Sequence, residues 1–282
     1  MQLVTVVIPF YSTVRGLLIN SVRSALNQTL SDIEIIVVDD CSPVPAQDEL
    51  KSIDDSRLKI VRHNINSNGG IARNSGLDSA SGDYVAFLDY DDIWYPDKLE
   101  KQLALFKQAE KMSENPVVYS RCKIIDGNRT MIRPVRAIAD KEPVGDYLFC
   151  ARQIIQTSGI FLRTAVAKSV RFDDLKRHQD YQFCLSLEQY GCTFHMLETP
   201  SYDFIQIPKL NDYNFSLQWL MTYSKFLSGK AKHSFLALVV VRSMIRHKHF
   251  ISAVMLSLRH GIFLSFLYSL FAFISKAILF KR

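Results

Sequence analysis

Ser81-Gly-Asp-Tyr-Val-Ala-Phe-Leu-Asp-Tyr-Asp-Asp-Ile-Trp94 is the stretch that decides how this chain is read. Tyr84–Leu88 is a short apolar run behind a Ser-Gly turn, the pattern of a buried strand. It ends in Asp89, Tyr90, Asp91 and Asp92. Three carboxylates in four residues repel one another unless a cation sits among them. At the carboxyl end of a strand in an open α/β sheet, they point into the crevice where such sheets bind ligands. Hard oxygen ligands suit Mg2+ or Mn2+, which reach proteins through one or two carboxylates plus substrate phosphates. The stretch is therefore either a metal–diphosphate site or a solvated acidic turn capping the helix after Pro96.

Outward from this stretch, strands and helices alternate. Leu3–Pro9 and Ile33–Val38 are β-branched runs that read as buried strands, the second ending in Asp39-Asp40, and Leu58–Val61 is a third. Leu17–Leu30 has helical spacing, Ala46–Ile53 is a short amphipathic stretch, and Pro96–Met112 is an amphipathic helix with proline in its first turn. Asn64–Gly70 reads as a polar, Gly-rich loop before a helix at Ile71–Ala80 that carries Arg73. Four alternations in the first hundred or so residues mean βαβ units and a parallel sheet. The clusters after the strands then gather on one edge. The first strand is followed by no G-x-G-x-x-G and by no P-loop lysine, which argues against a dinucleotide oxidoreductase or a P-loop ATPase.

Farther on, Val117–Ile125 reads as one strand, with Thr130–Ile132 pairing back around Gly127-Asn128. Gln156–Leu162 is a polar loop entering a strand, and Ala165–Val170 a short helix. Arg177-His-Gln-Asp180 precedes a helix at Tyr181–Tyr190 that stops at Gly191. Thr193–Leu197 and Tyr202–Ile207 are expected strands, and the chain is helical from about Leu217.

The 282 residues carry a net charge of +6, unevenly placed. From Tyr213 to Arg282 there are ten Lys or Arg and no acidic residue, which leaves the first 212 residues with a balance of −4, 24 basic against 28 acidic. A basic tail on a mildly acidic body suits an anionic partner for the tail alone, either membrane lipid or nucleic acid. The five cysteines form neither a CxxC pair nor a Cys/His ligand spacing, so reduced thiols in a cytosolic protein are expected. Val4–Pro9 is too short for a signal peptide and runs into no cleavage site. Gly261–Ser275 is uncharged and apolar. Fifteen helical residues cover about 22 Å, short of the roughly 30 Å hydrocarbon core. Ser257, Gly261, Ser265, Ser269 and Lys276 fall near one face, as in a helix lying in the interface. The competing expectation is an ordinary helix packed on the body.

Five stretches in order resemble the family 2 glycosyltransferases of the GT-A fold: Val7-Ile-Pro-Phe-Tyr11, Ser24-Ala-Leu-Asn-Gln-Thr29, Ile36-Val-Val-Asp-Asp40 with Ser42, Asn68-Gly-Gly-Ile-Ala-Arg-Asn-Ser-Gly76, and Gly82–Trp94. The match covers about the first 115 residues and is specific only in combination. Gln156-Thr-Ser158 and Arg177-His-Gln-Asp180 resemble, more loosely, bacterial enzymes of colanic-acid and O-antigen type. Ser12 and Cys41 stand where most relatives have Asn and Gly, and Gln179 where many have Glu.

The resemblance implies a GT-A α/β fold over residues 1–212, with a nucleotide-sugar half at 1–115 and an acceptor half at 116–212; the tail's own charge and apolar run make 213–282 a helical membrane-associating region. The resemblance also implies an inverting transfer from a UDP-sugar to a lipid-linked saccharide hydroxyl. Asp40, or failing it Asp39, would accept the uracil N3–H; the alternative is that they cap the next turn. The Pro9–Tyr11 backbone would flank the base. Arg73 would pair with diphosphate or ribose, unless it is a solvated helix-surface charge. Asp91 would contact Mn2+ or Mg2+, with Asp89 facing the ribose or a metal-bound water and Asp92 behind them. Asp180 would be the general base, although Asp180-x-x-Phe183 also fits a plain N-cap. His178, Gln156, Thr157 and Ser158 would line the acceptor pocket. The expected location is peripheral, on the cytoplasmic face of the bacterial inner membrane, or the cytoplasm if the tail packs on the body. Three readings compete: a nucleotidyltransferase, for which Pro9–Gly16 is a poor triphosphate loop; an inactive UDP-binding scaffold; and a nucleic-acid binder, against which the tail's Phe/Leu density speaks.

Overall fold

The computed structural model describes residues 3–206 and 212–279. The chain divides into two compact units, Met1–Asp140 with Gln153–Gln206, and Lys141–Arg152 with Ile207–Arg282. The division falls a few residues before the expected one at 212. Lys141–Arg152, placed by sequence in the acceptor half, belongs to the second unit. Its buried Phe149 explains this, stacking edge-on against Phe235 at 5.1 Å and Trp219 at 6.3 Å.

In the first unit, β1 (Val4–Phe10), β2 (Ile33–Asp39), β3 (Leu58–Arg62) and β4 (Tyr84–Phe87) run parallel, joined by α1 (Leu18–Leu26), α2 (Ala46–Leu50) and α3 (Asn68–Ser79). Every residue of β1 and β2 is buried, because helices cover both faces of a parallel sheet. Then come β5 (Ile93–Trp94), α4 (Lys98–Ala109), β6 (Pro116–Ser120), β7 (Cys122–Asp126), β8 (Arg129–Arg133), β9 (Phe161–Arg163), α5 (Thr164–Val170), α6 (Gln179–Gln189), β10 (Thr193–Leu197) and β11 (Tyr202–Ile205). The main sheet has the order β10-β6-β9-β4-β1-β2-β3, and a second sheet the order β5-β11-β7-β8. β1 lies between β2 and β4, so the chain switches direction there. The carboxyl ends of β1 and β4 flank this switch point, where open α/β sheets form their ligand crevice.

Two departures from the sequence reading shape this crevice. The expected strand at Val117–Ile125 is two strands. β6 is buried throughout in the main sheet, whereas β7 alternates buried and half-buried in the second. The chain changes sheets at Arg121, whose Nε donates to the Pro134 carbonyl at 2.9 Å. β9 enters the main sheet antiparallel to β4, with Ala86 opposite Phe161. Residues just before β9 therefore lie at the edge where β4 ends.

The second unit is helical: α7 (Tyr213–Tyr223), α8 (Gly229–Phe235), which continues through a wider turn at Leu236–Val241 into α9 (Arg242–Arg246), then α10 (Phe250–Arg259) and α11 (Phe263–Leu279). Asp212 caps α7 and Ser228 caps α8. The apolar helix expected from Gly261 begins at Phe263, because Gly261 takes a left-handed φ of +65° that ends α10. The serines of the expected polar stripe turn inward, with Ser257 and Ser269 buried and Ser265 half-buried, although Gly261 is exposed; Leu264 is 80% and Phe271 70% exposed. No helix among the described residues is long and apolar enough to cross a membrane. Ile207, Lys281, Arg282 and the Lys276 side chain lie outside the described part.

Candidate functional site

The acidic stretch is built by its neighbours. Ser21 of α1 donates its hydroxyl to the carbonyls of Tyr90 (2.6 Å) and Asp92 (2.8 Å). Ser24 accepts from the Trp94 amide, and Gln28 bridges to the Tyr95 carbonyl and the Leu99 amide. The Ser24–Thr29 signature is thus a staple. α1 ends at Leu26, short of the expected Leu30, because the chain turns to run beside 95–99.

From the antiparallel side come Thr157 and Ser158. Thr157 Oγ1 lies 3.2 Å from both Asp89 oxygens, and Ser158 Oγ accepts from the Asp89 amide and donates to Asp92 Oδ2 at 2.5 Å. Both are buried. They hold the carboxylates, which corrects the expectation that they reach an acceptor. Gln156 is half-buried and takes the Tyr202 hydroxyl at 3.3 Å.

The three aspartates part company. Burial drives the Asp92 carboxyl well above the usual range and Asp89 and Asp91 add to the rise, while Ser158 opposes it. Its Oδ1 has no hydrogen-bond partner. Asp92 therefore supports the loop from behind. Asp89 pairs with Arg73, and Asp91 is half-buried at the tip. Among the described residues, no three His, Cys, Asp or Glu side chains converge on a metal position. A cation shared with a substrate diphosphate needs only one or two carboxylates. Asp91 and Asp89 fit that requirement: Arg73 offsets one charge, and Asp92 resists ionisation.

Arg73 is a buried hub rather than a helix-surface charge. One terminal nitrogen donates to Gln179 Oε1 at 2.8 Å, the other to Asp89 and, at 3.3 Å, to Thr157 Oγ1. The guanidinium sits 5.4 Å from the Phe172 ring centre, and Nε has no partner. Its fork thus binds protein groups and organises the floor of the site. The rest of α3 serves the same junction. The helix begins at Asn68, not Ile71, because its first turn needs glycine. A Cβ on Gly70 would lie 2.7 Å from the Asp173 carbonyl oxygen. Asn74 exchanges two hydrogen bonds with the backbone of Phe172.

α6 is seated on β4 through Phe183, edge-on to Phe87 at 5.8 Å and stacked on Phe172 at 4.0 Å. Its flanking residue His178 adopts φ +61° and makes no side-chain cap. Asp180 lies inside the first turn, so it is not an N-cap. Burial raises its pKa to about 6, against the Tyr181 amide; Asp89 adds to the rise and Arg73 opposes it. Those two influences tie Asp180 to the acidic crevice. Gln179 accepts from Arg73 and donates to the Leu175 carbonyl at 2.5 Å. His178 stacks on Tyr181, and burial with the nearby Arg177 charge lowers its pKa to about 4, so it is neutral.

At the other wall, Asp39 is consumed by the fold. It accepts from the Ser42 and Ala46 amides at 2.8 Å and from Arg62, and it is buried. Holding the turn after β2 is the alternative role expected of it, and it leaves Asp39 less acceptor capacity than Asp40. Asp40 is also buried, but accepts only from His63 Nδ1 (2.8 Å) and the Ser67 amide. Pro9 is buried within β1, Phe10 packs edge-on against Tyr90 at 5.4 Å, and Tyr11 is 44% exposed at the rim. Ser21 escaped the sequence reading, and Gln28, Asn74 and Gln179 were noted without a role, since each acts through partners up to 106 positions away.

A crevice at a sheet switch point, with an acidic loop on one side and a helix-borne carboxyl on the other, is the layout of a GT-A sugar transferase. Solved structures share the fold. S. aureus TarS 1–349 superposes with a TM-score of 0.62 at 18% identity, over 98% of this chain and 92% of that one. Its complex with UDP-GlcNAc gives 0.61 at 20% identity, over 87% and 73%. The sequence settles the family. The pattern described as Glycosyl transferase family 2 matches residues 5–176, and the amylovoran biosynthesis glycosyltransferase AmsB of Erwinia amylovora is 31% identical over 83% of this chain and 81% of its own. This chain belongs to glycosyl transferase family 2. Escherichia coli WfaP, named UDP-Glc:alpha-D-GlcNAc-diphosphoundecaprenol beta-1,3-glucosyltransferase, is 38% identical over 40% of this chain and 44% of its own.

Proposed function

We propose that the protein transfers a sugar, with inversion, from a UDP-sugar to a hydroxyl of a lipid-linked saccharide in bacterial surface polysaccharide synthesis. The observation that carries this is Asp180, a carboxyl with a pKa of about 6 that shares the charge environment of Asp89 and Arg73. A group poised there accepts a proton near neutral pH. The acceptor oxygen gives its proton to Asp180 and attacks the anomeric carbon, and the bond from that carbon to the diphosphate oxygen breaks as UDP leaves. Asp40 keeps acceptor capacity beyond His63 and Ser67, since an ionised carboxylate has about four lone-pair sites, and this supports a bond to uracil N3–H. Tyr11 borders the base, and Gln156 with neutral His178 suits acceptor hydroxyls. Mn2+ or Mg2+ held by Asp91 with Asp89 would neutralise charge on the departing diphosphate.

The UDP-Glc in the name of WfaP and the UDP-GlcNAc bound to TarS support UDP, the name of WfaP supports a diphosphate-lipid-linked saccharide acceptor, and that of AmsB, in amylovoran biosynthesis, supports a biosynthetic role. The outward apolar face of α11 in an acid-free, basic region supports a peripheral place on the cytoplasmic face of the inner membrane. A screen of nucleotide sugars with a diphosphate-lipid acceptor tests the reading. D180N should bind the chosen UDP-sugar normally and transfer at least about a hundredfold more slowly. Undiminished transfer would reduce Asp180 to a structural residue, and a UDP-binding wild type with no turnover on any donor would favour a scaffold.

A further inference from the structure

Within the second unit lies a cavity of about 550 Å3 to which the reaction above assigns nothing. Its lining is of two kinds. Phe149, Ile262 and Leu264 are apolar, while Arg152, Arg242 and His233 are basic. No acidic residue lines it. Neither arginine hydrogen-bonds or ion-pairs with any described residue, and α7 through α11 contain no Asp or Glu to pair with them. Arg242 is half-buried, and burial together with repulsion from Arg152 and Arg246 disfavours its charge, with Tyr268 opposing. Arg152 holds a left-handed φ of +55°, uncommon for a side-chain-bearing residue. Two cations kept close together without a counter-charge mark a place where an anion relieves the repulsion, and guanidinium forks match phosphate oxygens. The apolar lining continues onto the exposed side of α11, where Leu264, Leu267 and Phe271 stand outward. An anion with a long apolar chain satisfies both halves, and free phosphate satisfies one.

We propose that this cavity binds the phosphate group of a membrane lipid, whose chain lies along the apolar outer face of α11. The proposal deepens the membrane-surface reading above by naming the group that the second unit grips. Two sources share this chemistry, the diphosphate of a polyprenyl carrier and the headgroup of an anionic phospholipid.

The full chain is titrated with farnesyl diphosphate, inorganic diphosphate, and vesicles of phosphatidylglycerol or phosphatidylcholine. Wild type should bind farnesyl diphosphate or phosphatidylglycerol well above inorganic diphosphate and phosphatidylcholine. R152Q/R242Q should weaken that binding at least about tenfold, the scale of losing a charge-assisted hydrogen bond. S265W, which fills the cavity and keeps both arginines, should do the same and serves if the double variant melts early. Loss confined to farnesyl diphosphate supports a carrier lipid; loss confined to phosphatidylglycerol supports a headgroup. Unchanged binding of both lipids in both variants, or inorganic diphosphate bound as tightly as farnesyl diphosphate, overturns the proposal. UDP binding is read alongside. Its absence in wild type would sink the donor reading and leave this one standing, and both variants should retain it.

Discussion

Asp180 gains its basicity from where α6 begins. With its carboxyl at about 6 against an ordinary aspartate near 4, the folded state holds this proton to higher pH than the unfolded chain does. Its contribution to stability therefore falls as pH rises from about 4 through 6. D180N removes that loss. Its melting temperature should exceed wild type at pH 7.5, with the gap closing near pH 4; a gap that ignores pH would mean a solvated carboxyl. Wild-type kcat/KM should rise through about pH 6 as the base ionises. Asp91 carries a separate expectation. D91N and chelator should each remove most turnover and the metal-dependent part of UDP binding, without shifting the melting temperature by more than a degree or two. UDP affinity indifferent to both would end the metal assignment. The placement of Asp89 and Asp91 just past β4, and of Asp180 where α6 begins, was legible in the sequence, because an apolar run ending in acids and a helical pattern after a polar stretch fix those positions. The role of Arg73 was not, because a guanidinium on a Gly-rich helix looks the same in sequence whether it faces water or a buried aspartate.

At the scale of elements, the parallel core followed from alternating β-branched runs and helical spacing, and β1 to β4 fall within a residue or so of their expected ends. What failed was what periodicity cannot express. β6 and β7 form one apolar run whose division depends on a change of sheet. β9 runs against β4, which brings Thr157 and Ser158 under the acidic loop, and no local signal gives strand direction. α3 began earlier than its composition allowed, because Gly69 and Gly70 look like loop residues until the close approach of Asp173 and Gln179 is seen. That approach makes a prediction. G70A should strain the α3–α6 junction and cost about 1–3 kcal/mol by urea denaturation, the usual scale for overpacking. It should lower kcat more than UDP affinity, since Asp180 shifts while Asp40 and the β1 edge stay put. A neutral substitution would mean the Asp173 backbone yields freely.

For the whole molecule, charge asymmetry pointed to a tail unlike the body; the second unit is helical and also includes Lys141–Arg152, which charge could not indicate. The orientation of α11 was the part sequence could not give: a stripe of serines suggests a wet face until packing turns it inward. Binding to anionic vesicles should weaken in high salt, which screens the basic residues, and persist in part through the apolar face. L264E/F271E, at two outward positions, should abolish vesicle binding while leaving UDP binding and the melting temperature close to wild type. Vesicle binding that survives this change would assign the face to something other than lipid.

The inverted face of α11 also bears on how many copies of the chain travel together. Leu264 and Phe271 of α11, with Ile251 and Met255 of the neighbouring α10, are 66–80% exposed. In plain buffer such a band meets its own kind on another molecule before it meets a bilayer, so scattering mass should climb with protein concentration and collapse when mild detergent is added. An apparent stoichiometry taken without amphiphile would then measure the solvent's hostility to one helix, and the functional unit is to be counted on a lipid surface.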